Sequence, residues 1–136
     1  MYFSEFGFYL TFWRERKSVI LHLVKSSPKQ GVTVLQMKGS IHSGPDCRRV
    51  EQETEALIGA KETFVIFDLS GVTHIDSAAI GSIVRCFSRL KSSGGYLRLA
   101  GCTGMIEASI KLTQLHKVLE LYPTATAAAE NYPLSR

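Results

Sequence analysis

Phe64-Val65-Ile66-Phe67-Asp68-Leu69-Ser70-Gly71-Val72-Thr73-His74-Ile75-Asp76-Ser77-Ala78-Ala79-Ile80-Gly81 is the stretch from which the fold can be read. Its first four residues are a continuous apolar run rather than an alternating one, the pattern of a central strand covered on both faces by helices. A Ser70-Gly71 turn and the short run Val72-Thr73-His74-Ile75 come next. Ile80, Ile83, Val84, Phe87 and Leu90 then recur at helical spacing, with Asp76 or Ser77 as the natural N-cap and Gly94-Gly95 as the stop.

Working outward, residues 18–24 and 32–37 are apolar and β-branched on either side of the Ser26-Ser27-Pro28-Lys29-Gln30-Gly31 cluster, which reads as two strands joined by a turn. Ser43 with Asp46 three residues on resembles a capping box, and Cys47, Val50, Thr54, Leu57 and Ile58 mark a first amphipathic helix. Beyond Gly95, Tyr96, Leu97 and Leu99 make a strand, and Thr103 caps a third helix through Met105, Ile106 and Ile110. Val118-Leu119-Glu120-Leu121 is a last short strand, and Thr124 opens an alanine-rich terminal helix. Strands alternating with helices at these intervals predict an α/β domain with a mostly parallel central sheet of about five strands and about four helices.

At 136 residues, 45% hydrophobic and 21% charged, the chain has the size and composition of one ordinary globular domain. The net charge of +4 is spread along the sequence without a basic run interleaved with aromatics, which argues against direct nucleic-acid binding. Cys47, Cys86 and Cys102 are odd in number and far apart, with no C-x-x-C pair, and read as buried thiols in a reducing cytoplasm. Residues 1–17 stand apart, since Tyr2, Phe3, Phe6, Phe8, Tyr9, Phe12 and Trp13 are seven of the thirteen aromatics. Their basic residues follow the apolar stretch, unlike a secretory signal, and the stretch is too short to span a bilayer. The segment is expected to be a leader outside the core, packing loosely or touching another copy, in preference to an interfacial anchor. The domain is then 18–131, with 132–136 a C-terminal tail.

The segment from Asp68 to Gly81 resembles the STAS domain (sulfate transporter and anti-sigma factor antagonist), in which D-L-S-x-V-x-x-I-D-S leads into a helix that begins with small residues. Strand and helix order, the Gly94-Gly95 turn and Leu112-Thr113-Gln114-Leu115 extend the likeness over about 18–131. The resemblance implies an anti-sigma factor antagonist rather than an enzyme. In the family, the serine matching Ser77 is phosphorylated by a partner that is both anti-sigma factor and kinase. A phosphatase reverses the modification, and only the unmodified form binds the partner. The implied contact surface is Asp76, Ser77, Ala78, Ala79, Ile80 and Gly81 with the exposed side of the next helix, including Ser82, Arg85 and Arg89. His42 stands where the family commonly has Asp, Ala79 and Gln114 where Gly is usual, and His42 is therefore included among the site residues. The rival within the family is a subunit of another assembly, such as a lipid-transporter accessory component or a stress-signalling scaffold.

Physical chemistry supports the Ser77 position independently, because a helix N-terminus leaves backbone N–H groups free and carries a partial positive charge. The bland alternative is that Ser77 only caps the helix. A small hydrolase or nucleotide-binding enzyme is the remaining class, and it fares poorly. His74, Asp76 and Ser77 are near neighbours, and strand alternation sets Ser77 on the face opposite the other two, so no triad is expected. There is no G-x-S-x-G elbow, no phosphate-binding glycine loop and no dinucleotide fingerprint. His22, His42, His74 and His116 lack metal-ligand spacing. No cofactor, metal or catalytic residue is expected.

Overall fold

The computed structural model describes residues 20–133, and the reading of the aromatic leader lies outside them. Strand β1 (His22–Lys29) and strand β2 (Val32–Ile41) form an antiparallel hairpin. The first strand therefore starts and ends later than 18–24, because Ser26 to Lys29 pair rather than turn. The register shifts between Ser26 and Lys29, and Pro28 is tolerated at that irregularity of an edge strand. The turn itself is Gln30-Gly31, where Gly31 has φ +85°.

Helix α1 (Pro45–Gly59) buries Cys47, Val50, Thr54 and Leu57. Its N-cap is Gly44, with no side-chain cap, so the expected Ser43 capping box is absent. Asp46 instead accepts a hydrogen bond from the His42 backbone N–H at 3.1 Å. Strand β3 (Phe64–Ile75) runs parallel to β2 and does not break at Ser70-Gly71. A Cβ on Gly71 would stand 2.7 Å from Lys38 Cγ and 3.1 Å from the Met37 carbonyl oxygen. The glycine serves close strand approach, not a turn, and register shifts after Gln36 and Gly39 carry the pairing on to Ile41 and Ile75.

Helix α2 (Ser77–Ser92) follows directly and ends in a Schellman turn, with Gly95 N–H on the Leu90 carbonyl (2.9 Å) and Gly94 at φ +85°. Strand β4 (Tyr96–Ala100) leads to helix α3 (Gly104–Leu112), whose N-cap Thr103 makes no side-chain cap bond. The last strand is not 118–121 but β5 (Leu121–Tyr122), because Leu115–Lys117 forms a 3₁₀ turn and Val118 closes it. Thr124 does cap helix α4 (Ala125–Ala129), accepting from the Ala127 N–H at 3.1 Å.

Strand order is β1-β2-β3-β4-β5, with every pair after the first parallel. Each crossover steps to the next strand in the same direction, so right-handed connections put α1, α2 and α3 on one face. The main core lies there: Met37, Val65, Phe67, Leu97 and Leu99 of the sheet meet Leu57, Ile83, Leu90 and Ile110 of the helices. Among the described residues the opposite face carries α4, whose Ala128 and Ala129 with Tyr132 cover Val32, Val34, Ile66 and Ala100. The described residues thus cover the two faces of the sheet unequally, although both faces of β3 are buried.

The packed body also runs past 131. Tyr132 is 1% exposed, its hydroxyl donates to the Val65 carbonyl at 3.3 Å, and its ring meets Phe64 edge-on. Tyr132 belongs to the core and not to the expected tail. Its neighbour Arg98 is 3% exposed and donates from Nη1 to the carbonyls of Ala128 and Glu130. The guanidinium lies over the rings of Tyr122 and Tyr132, and Nε approaches Glu120 at 3.0 Å without hydrogen-bond alignment.

Candidate protein-binding corner

The corner forms where β2 and β3 end side by side. Ile41 pairs with Ile75, and the Asp76 N–H donates to the Ile41 carbonyl at 3.3 Å. Parallel strands deliver both following connections, the one into α1 and the one into α2, to the same edge of the sheet. Asp76 joins them. Its Oδ1 accepts from the Ala79 N–H and its Oδ2 from the Ser43 N–H, each at 2.8 Å. His42 Nδ1 lies 3.8 Å from the same Oδ2. Burial alone would push the Asp76 carboxyl up, but the two amides and the His42 imidazole outweigh it and hold the group below its ordinary value.

Asp76 is therefore the N-cap and Ser77 is the first helical residue. The Ser77 side chain is exposed and its hydroxyl is engaged in no hydrogen bond among the described residues. A serine that capped the helix would have its oxygen committed to a backbone N–H. This one is left available, with the free donors and positive end of α2 beside it and the Asp76 carboxylate next to it. The strand-alternation argument against a triad stops at Ile75, since Ser77 is helical. His74 Nδ1 lies 3.1 Å from Thr73 Oγ1.

The expected contact residues divide. His42, Ser77, Ala78, Arg85 and Arg89 are exposed, and Asp76 and Gly81 partly so. Ala79, Ile80 and Ser82 are buried at 0%, 7% and 1% exposure. They cannot form a surface as expected: α2 turns these residues inward onto the sheet and α1, and Ser82 Oγ donates to the Cys47 carbonyl. Arg85 and Arg89 face solvent, yet each is engaged across the helix pair, with Glu51 and Glu55 at 2.6 Å. Both carboxyls are lowered chiefly by those arginine hydrogen bonds. Glu51, Glu55, Ser43 and Asp46 were not among the expected site residues. Spacing held the signal for the first two, since a four-residue step on α1 matches a four-residue step on α2.

The three thiols are free; Cys47 and Cys86 are buried and Cys102 only half-buried. Burial raises all three, Cys86 and Cys102 to about 11, so they are thiols rather than thiolates near neutrality. Among the described residues no group of three or more His, Cys, Asp or Glu side chains is arranged to hold a metal. Among them, too, no helix is long and apolar enough to cross a membrane.

The STAS domain model matches residues 26–128. A Thermotoga maritima protein provisionally named as an anti-sigma factor antagonist is 33% identical over 72 residues, 53% of this chain and 62% of the relative. A homologous protein of Thermotoga neapolitana with the same provisional name is 30% identical over 66 residues. The chain spans less than two thirds of the length of these curated relatives. Among solved structures, an anti-sigma factor antagonist from Mycobacterium paratuberculosis superposes with a TM-score of 0.73 at 22% identity, covering 82% of this chain and 92% of that one. The Bacillus cell fate determinant SpoIIAA in its phosphorylated form gives 0.65 at 13% identity, over 81% and 98%. These superpositions establish the α/β fold with its five-stranded, mostly parallel sheet.

Proposed function

We propose, from the premise that the chain belongs to the STAS domain family, that it is an anti-sigma factor antagonist controlled at Ser77. In this reading it binds an anti-sigma factor with serine kinase activity in the cytoplasm, and a phosphoserine phosphatase restores it. It acts by binding, not by catalysis. The observation that carries the reading is the exposed, uncommitted hydroxyl of Ser77 beside a cap made by another residue. Relatives provisionally named for that function lend it support.

The mechanism follows from charge. Phosphate on Ser77 adds about 1.5 to 2 negative charges at pH 7, and the start of α2 tolerates them. A partner docked on the corner must desolvate those charges next to the Asp76 carboxylate, and docking fails. The contact surface is His42, Ser77, Ala78 and the partly exposed Asp76 and Gly81, while Arg85 and Arg89 extend it along α2. Ala79, Ile80 and Ser82 support it from beneath.

Calorimetry of the chain with its anti-sigma partner, before and after kinase treatment, tests the switch. Moving a complex from 99:1 to 1:99 requires about 5.5 kcal/mol of differential affinity. Ser77→Ala is expected to bind and resist phosphorylation, and Ser77→Glu to bind less tightly, though with a smaller loss than true phosphate causes. Equal affinity of the phosphorylated and unmodified chains refutes the reading.

A further inference from the structure

The backbone around His42 is fixed from several directions. Its N–H donates to Asp46 Oδ2 at 3.1 Å, its carbonyl accepts from the Cys47 thiol at 3.2 Å, and the next N–H, that of Ser43, donates to Asp76 Oδ2 at 2.8 Å. The Asp76 N–H in turn donates to the carbonyl of Ile41, the residue before His42. Continuing the parallel register one step beyond the Ile41–Ile75 pair sets His42 level with Asp76 and Ser43 level with Ser77. The imidazole is thereby held beside the carboxylate, with Nδ1 3.8 Å from Asp76 Oδ2, too far for a hydrogen bond but within range of a charge.

A phosphate on the residue after Asp76 needs a positive or donating neighbour. At pH 7 it brings about 1.5 to 2 negative charges to a corner that already holds the carboxylates of Asp46 and Asp76. The start of α2 offsets only part of them, since its partial charge is about half a unit. On α2 itself Arg85 and Arg89 are engaged by Glu51 and Glu55, and on β3 His74 pairs with Ser40 and has its Nδ1 at Thr73 Oγ1. Arg48, exposed on the first turns of α1, is the rival to His42. We propose that His42 is the intramolecular ligand of a phosphate on Ser77, its ring donating a hydrogen bond to a phosphoryl oxygen. The proposal rests on Ser77 as the modified residue and names what holds the modified side chain in place. An imidazole carries at least one N–H donor in either protonation state, so the bond does not require a charged ring. Held by His42, the phosphate stays at the start of α2 in the middle of the contact surface instead of swinging out into solvent.

Phosphoserine incorporated at position 77 during translation of the full chain gives the modified protein without any kinase. Phosphorus-31 nuclear magnetic resonance then reads the second ionisation of the phosphate, whose ordinary midpoint is about pH 6. A hydrogen bond to the dianion favours the dianion, so His42→Ala is expected to move the midpoint up by about half a pH unit. His42→Asp, which adds a carboxylate, should move it further, and His42→Gln, which keeps an N–H donor, should move it less. Arg48→Ala should leave it in place, with far-UV circular dichroism of every variant matching the parent. A midpoint that His42→Ala leaves unchanged, or that Arg48→Ala moves as far, overturns the proposal. The titration involves no partner and is therefore separate from the switch. A midpoint indifferent to His42 leaves the switch standing, whereas equal partner affinity of the phosphorylated and unmodified chains refutes the switch and leaves the titration as found.

Discussion

Asp76 and Ser77 are adjacent, and the sequence alone left open which of them caps α2. The structure separates their roles: the carboxylate satisfies two backbone amides, and the hydroxyl satisfies none. Asp76→Ala is accordingly expected to cost about 0.5 to 2 kcal/mol in urea denaturation, while Ser77→Ala stays within about 0.5 kcal/mol of the parent. The pH dependence has a definite sign. The folded Asp76 carboxyl lies below its ordinary 3.8, so its contribution is complete above that value and fades as pH falls through the lower folded one. Denaturation of Asp76→Asn across the acid range should show a shallower loss of stability than the parent; an identical profile would exclude Asp76 as a source of the acid sensitivity. Gln114 shows the opposite relation between sequence and structure. It holds φ +62°, the left-handed conformation in which the family's usual glycine is unstrained, so a departure in sequence is a local cost in backbone energy.

At the scale of elements, periodicity succeeded where one face of a helix had to be buried and failed where the backbone itself was the determinant. α2 was legible from Ile80, Ile83, Phe87 and Leu90, all of which are buried, whereas Val84 in the same pattern is 40% exposed and sits on the solvent side. β3 was cut short at Gly71 because a Ser-Gly pair reads as a turn; that β2 passes too close for a Cβ is a tertiary fact no local pattern carries. The corner was half legible for a related reason. Its position followed from a strand feeding a helix, but the bonds from Asp76 to Ser43 and from Arg85 to Glu51 span 33 and 34 residues. Gly95 offers a test of such a backbone determinant. A Cβ there would fall 1.9 Å from the Thr63 carbonyl oxygen, which is fixed by its bond from the Tyr96 N–H at 2.9 Å. Gly95→Ala should therefore force β3 and β4 apart and cost at least about 1 to 3 kcal/mol, read as a lower urea midpoint. A midpoint unchanged from the parent would show that this junction yields without penalty.

For the whole molecule, the way the described residues cover the two sheet faces ties the end of the domain near Tyr132 into the core. Three helices bury one face, and the other depends on α4 and Tyr132, which Arg98 holds down through the Ala128 and Glu130 carbonyls and its stacking on the ring. Truncation after Asn131 removes a fully buried aromatic, the hydroxyl bond to Val65 and one side of the Arg98 stack. Loss of a buried aromatic costs about 3 to 5 kcal/mol, a large share of the roughly 5 to 15 kcal/mol that holds a domain folded. Deleting residues 1–17 removes more than three times as much chain, and residues 20–133 by themselves supply a large buried cluster on one sheet face and a smaller one on the other. The shorter deletion should therefore be the more damaging. Urea unfolding followed by circular dichroism is expected to give a single cooperative transition for the chain lacking 1–17, with its m-value near the parent's. The chain ending at 131 should show a midpoint lowered by several kcal/mol in stability, or no folded baseline at all. Were the N-terminal deletion to abolish cooperativity while the C-terminal one did not, the core would have to be redrawn to include the aromatic segment and to exclude Tyr132.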